Sequence, residues 1–160
     1  MSYRDRTMST LFAFLHHLAA FTLVGALAVE FVLVGMIERG AALSLASARR
    51  LAVADAVLGA AAGILLVVGM LRVFFFEKGA DHYFHNPAFL MKFSLFIVVA
   101  LLSIIPMREF LAWRRALRAG QAAELDARRL RRVRLIVHGE LGAVVVILLC
   151  AAIMARVGWI

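Results

Sequence analysis

One cysteine in 160 residues excludes an intramolecular disulfide, and Cys150 lies inside an apolar run, so it gives no sign of the redox compartment. Also missing are a glycine-rich nucleotide loop, an HExxH pair and a Ser, His, Asp order suited to nucleophilic catalysis. Phosphoryl transfer and hydrolysis therefore have no support. No internal repeat and no low-complexity tail interrupts the chain. Acidic residues are scarce as well, 10 Asp and Glu against 18 Lys and Arg, for a formal charge of +8. Such an excess can serve nucleic acid, but half of the basic residues crowd between Arg108 and Arg134, in a link between two apolar stretches. That placement encodes membrane topology, and nucleic acid is not an expected partner.

What the chain has in abundance is apolar surface. It is 64% hydrophobic with a mean hydropathy of +0.94, more than a soluble domain of this length could bury in one core. The lipid bilayer is the expected solvent. Four stretches, 11–35, 52–76, 88–107 and 135–157, each clear the roughly 20 residues a helix needs to cross the hydrocarbon. The expected fold is an all-α bundle of four transmembrane helices, with 1–160 forming one integral membrane domain. The first stretch contains a cleavage-like Ala26-Leu27-Ala28, but it is too long for the apolar part of a signal peptide and is expected to be retained. The third begins at Asn86-Pro87, an N-cap followed by a residue that needs no N–H, and ends through Pro106, expected as a kink or helix end. The link 36–51 is small and polar. The basic link 108–134 is expected as two helical extensions broken at Gly120.

Orientation follows from the basic residues. The first and third links share one side and carry twelve of them: Arg39, Arg49, Arg50 and the nine from Arg108 to Arg134. The positive-inside rule places those links in the cytoplasm, with both termini and the His82/His85 loop outside.

Polar residues inside the spans sort into two layers. From the helical rise, His16, Arg72 and Lys92 lie about 6 to 9 Å below the outer boundary, and Glu30, Asp55, His138 and Glu140 about 5 to 8 Å from the inner one. His16 and Glu30 are close to four turns apart, so they share a face and are separated by about 21 Å, while His17 is turned about 100° away. Ionisable groups in a membrane usually turn inward, which makes the His16/Glu30 face the inner one. Lys92 must either snorkel or find a partner. Asp55, Gly59 and Gly63 follow at intervals of four, a small-residue pattern that lets helices approach, either within the bundle or in a homodimer.

An inward imidazole with cations at its level is what an axial haem ligand with propionate partners requires, which would give His16 the iron and Arg72 and Lys92 the propionates. A histidine bonded to a nearby backbone or carboxylate explains the same residue. His82 and His85, three apart and near Glu77 and Asp81, could hold a metal ion, although structural metal sites usually offer four ordered ligands and this loop does not.

The stretch GMLRVFFFEKGADHYFHNPAFLMKFSLFIVVALLSIIPMREFLAWRR, with AFLHHLAA near the start, resembles a family of uncharacterised bacterial four-helix inner-membrane proteins, a domain of unknown function. This implies a multi-pass protein of the bacterial inner (cytoplasmic) membrane. More distantly, the first-helix histidine and the proline-then-lysine start of the third span resemble the four-helix HemJ-type protoporphyrinogen oxidases. That resemblance implies a haem b site involving His16 and Lys92. The chain departs from those enzymes in lacking a tryptophan-rich first helix, in having Met91 before the lysine and in its long basic third link. Two functional expectations follow. One is a haem-b redox protein acting with a membrane quinone or a porphyrinogen. The other is a non-enzymatic membrane module, an accessory subunit or a small ion or metal carrier built on the two polar layers.

Overall fold

A computed structural model describes residues 3–76, 83–123 and 126–157. Every regular element among them is helical: α1 (Tyr3–Glu38), α2 (Leu45–Leu71) running into a π-helical turn (Arg72–Phe76), α3 (Pro87–Leu102), α4 (Ile104–Arg118) and α5 (Ala127–Val157). Four helical spans are long and apolar enough to cross a membrane, with α3 and α4 together forming the third.

Local chemistry sets the ends of these helices. Asn86 caps α3, its side-chain oxygen accepting from the backbone N–H of Ala88 at 2.9 Å and of Phe89 at 3.3 Å, with Pro87 at the first helical position. The first link is shorter than expected. Ser44 and Ser47 form a reciprocal capping box that starts α2 at Leu45, so seven residues assigned to the link from their small and polar character belong to the helix. α1 stops at Gly40, whose φ of +96° is open to glycine at little cost. The N–H of Gly40 bonds the Ile37 carbonyl and that of Ala41 the Met36 carbonyl. Gly120, at φ +70°, ends α4 with the same pair of bonds, to Leu117 and from Gln121 to Ala116. The basic link is therefore two helical extensions broken at Gly120. Asp126 restarts the chain by accepting from the N–H of Arg128 at 2.9 Å.

The third span changes partners halfway along. α3 packs mainly on α5, whereas α4 packs on α2. Pro106 has no N–H to offer the preceding turn, and the helix breaks at Ser103, which redirects the chain across the bundle. Phe110 and Trp113 enter the core by this route and meet Leu27, Val34, Ala48, Leu51, Val133 and Val137. Tight packing is concentrated at the end that bears the basic link. There an ion pair between Arg134 and Glu38 also ties α5 to α1.

Candidate functional site

Glu30 is 0% exposed, Glu140 2% and Asp55 8%, one carboxyl from each of α1, α5 and α2. Asp55 and Glu140 both lie near enough for their charges to act on Glu30 inside the bundle. Neither oxygen of Glu30 and not Oε2 of Glu140 has a hydrogen-bond partner among the described residues. The other Glu140 oxygen lies 2.6 Å from Ser103 Oγ at the break in the third span. The same hydroxyl lies 3.0 Å from the Val99 carbonyl. Ser103 has one hydroxyl hydrogen and a carbonyl only accepts, so with that hydrogen on Val99 the Glu140 contact is a hydrogen bond when Glu140 carries a proton and donates it, and with Glu140 ionised the hydroxyl is shared between the two acceptors.

His138 does not join this layer. Its ring is exposed, its Nδ1 is engaged by the Arg134 carbonyl of its own helix at 2.8 Å, and it packs on Phe31 with centroids 4.7 Å apart. Residues 138 and 140 are separated by about 200° of helical turn, so burial of Glu140 turns His138 outward. Ser103 was not expected at this layer. The clue was a hydroxyl two residues before the Ile105-Pro106 bend.

At the other layer, His16 is half-buried and its Nδ1 is buried without a partner among the described residues. The ring lies against Gly69 of α2, where an added Cβ would stand 3.4 Å from Cε1 and 3.6 Å from Nδ1. Arg72 and Lys92 are among the charges that act on this imidazole, so residues from three helices meet at one level. Arg72 opens the π-helical turn, a local widening that recurs at functional sites. Lys92 finds its partner one turn back, with Nζ 5.3 Å from the centre of the Phe89 ring. His17 points elsewhere: it is exposed, and its Nδ1 is 2.7 Å from the Ala13 carbonyl.

His85 is exposed on the turn before α3, while His82, Glu77 and Asp81 lie outside the described residues. No group of three or more His, Cys, Asp or Glu placed to hold a metal ion occurs among the described residues. Gly59 and Gly63 are exposed on α2, and a Cβ added at either would meet nothing within 4 Å. Among the described residues they do not draw two helices of this chain together, and Asp55 is buried in the bundle.

An α-helical integral membrane protein with four spans and polar residues held inside the bundle is what the fold and these two layers define. The chain belongs to the family described as Predicted membrane protein (DUF2214), which it matches over residues 8–158. No curated protein and no solved structure matches it.

Proposed function

We propose that this protein is a small-ion carrier that handles protons, with the Glu30, Asp55 and Glu140 carboxyls as its principal station. The observation that carries this reading is the fully buried Glu30, both of whose oxygens lack a partner among the described residues while two further carboxyls act on it. Three carboxylates with no cation beside them among the described residues are prohibitively costly inside a membrane, so the cluster holds protons and can release them only as others replace them. Ser103 couples this occupancy to the bundle. With Glu140 protonated, the Glu140 O–H donates to Ser103 and Ser103 donates to the Val99 carbonyl. With Glu140 ionised, the Ser103 hydrogen is shared with the carboxylate and the extra bond to Val99 at the bend weakens. The Nδ1 of His16, without a partner among the described residues and about 21 Å along α1, supplies a second proton-binding station.

The test is proton flux into vesicles carrying the purified protein, driven by a potassium diffusion potential and read with an internal pH dye. Wild type is expected to acidify the lumen faster than empty vesicles, with Glu30→Gln returning the rate to background. Labelling of wild-type Glu30 by a hydrophobic carbodiimide, which attacks protonated carboxyls in apolar surroundings, gives a readout that does not depend on the variant folding. Wild-type flux equal to that of empty vesicles overturns the carrier, and no labelling of Glu30 between pH 5 and 8 overturns the protonated cluster.

A second reading is favoured by the His16 layer. An imidazole with a free nitrogen, a side-chain-less Gly69 beside its ring, and Arg72 and Lys92 within electrostatic reach fits one axial ligand and two propionate partners of a haem b. Bound there, the haem would supply one-electron transfer, taking electrons from a porphyrinogen or exchanging them with a membrane quinone. His16 would hold the iron, and Arg72 and Lys92 would orient and neutralise the propionates. A Soret band in detergent-purified protein supports this reading, and its absence from protein made in haem-sufficient cells overturns it. A homodimer through Gly59 and Gly63 is a separate proposal. It is tested by whether Gly59→Leu changes the oligomer size in detergent.

A further inference from the structure

Between α1 and α2, on the outer surface of the bundle and at the depth of Glu30 and Asp55 but lined by neither, runs a groove of about 1030 Å³. Gly25, Val29 and Leu33 form one wall and Val53 part of the other, and at one end stand Arg49 and Arg50. Gly25 leaves the floor open, since a Cβ there would meet nothing within 4 Å. Thr22 also borders the groove, but its hydroxyl already donates to the Leu18 carbonyl at 2.8 Å, so it offers a ligand little polarity. No carboxylate among the described residues lines the groove. Both arginines are exposed, and neither has an ion pair among the described residues, whereas Arg134 at the same end is paired with Glu38.

We propose that this groove binds an anionic phospholipid, with one acyl chain along its apolar floor and the headgroup phosphate held by Arg49 and Arg50. Position supports the assignment. α2 begins at Leu45 beneath its Ser44 cap, so the arginines lie within the first two turns, where long basic side chains reach the headgroup layer. From Arg50 to Val57, at the far end of the groove, the helix rises about 10 Å, enough to take the upper part of a fatty-acyl chain. Charge selects within the class. A neutral isoprenoid would fill the floor without using the arginines, and a free phosphate would use the arginines without the floor.

The experiment measures lipid affinity on the full-length protein in a neutral detergent, by native mass spectrometry, with phosphatidylglycerol and phosphatidylcholine of identical chains. Wild type is expected to retain phosphatidylglycerol in clear preference. The Arg49→Gln/Arg50→Gln variant should bind it roughly thirty-fold more weakly, the loss of about 1 kcal/mol for each of two basic residues. Gly25→Phe should weaken both lipids by filling the floor, and inorganic phosphate alone should not compete. Equal retention of the two lipids by wild type overturns the proposal even if the variants fail to fold. So does a phosphatidylglycerol preference that survives in the double variant, or a second copy of the chain occupying the groove in lipid-free protein.

Discussion

Ser103 and Glu140, 37 residues apart, meet at 2.6 Å where the third span breaks and turns toward α2. The contact joins the bend to α5. Buried Glu140 has no other partner among the described residues, so its loss strands the carboxyl. Ser103→Ala is expected to destabilise the protein by about 0.6 kcal/mol, the average for hydrogen bonds between membrane helices, and by no more than their maximum of about 1.7 kcal/mol. Ser103→Thr should retain most of the stability. A double-mutant cycle with Glu140→Gln, read by denaturant unfolding in mixed micelles, checks the coupling. Additive single and double variants would show that the two side chains do not act together.

Gly40 and Gly120 carry the other fixed points of the fold. Each sits at positive φ at the end of a helix, and each change to Ala should cost about 1 kcal/mol because an L side chain is strained there. Gly59→Ala has negative φ and open space, so it should be neutral or slightly stabilising. Thermal unfolding of the three variants beside wild type decides this. Equal effects at all three positions would show that backbone conformation is not what Gly40 and Gly120 supply.

What could be read in the chain followed the range of the interaction. Asn86-Pro87 announces the start of α3 because cap and proline act within one turn, and Gly120 announces the break in the basic link for the same reason. Ser44 is hard to read as a cap although it too is local. A Ser-x-x-Ser box in a segment of small residues looks like loop composition until the reciprocal bonds are seen. Helical rise sufficed to place His16 and Glu30 on one inward face. It misplaced His138, because depth alone ignores that 138 and 140 point to opposite sides of α5. Partner identity was out of reach. That Ser103 meets Glu140, or that Gly69 backs His16, depends on how helices cross, which no periodicity encodes.

The unequal distribution of arginines makes topology testable without any knowledge of function. A reporter fused after Ile160 is expected to behave as external and one inserted at Gly120 as cytoplasmic, because the link from Arg108 to Arg134 is the most basic segment of the chain. An alkaline phosphatase and a fluorescent protein fusion at each point provide the readout. The reverse pattern at both would invert the bundle.

The last prediction separates His16 from its neighbour. His16 presents to α2 a buried nitrogen without a partner among the described residues and shares its level with Arg72 and Lys92, while His17 is exposed and bonded to the Ala13 carbonyl. In protein purified from haem-sufficient cells, haem binding at this layer requires His16→Ala to remove most of the bound haem, since the iron loses an imidazole. His17→Ala should leave the haem content near wild type, at a stability cost of about 1 kcal/mol for one exposed hydrogen bond. Lys92→Met should fall between the two by removing a cation from the same level. Gly69→Ala is expected to be mild, because its Cβ would make ordinary contact at 3.4 Å, whereas Gly69→Leu must displace the ring and should imitate His16→Ala. The pyridine haemochrome ratio of haem to protein across the five variants is the measurement. A larger effect at His17 than at His16 would show that the inward face of α1 is not the one that carries the ligand.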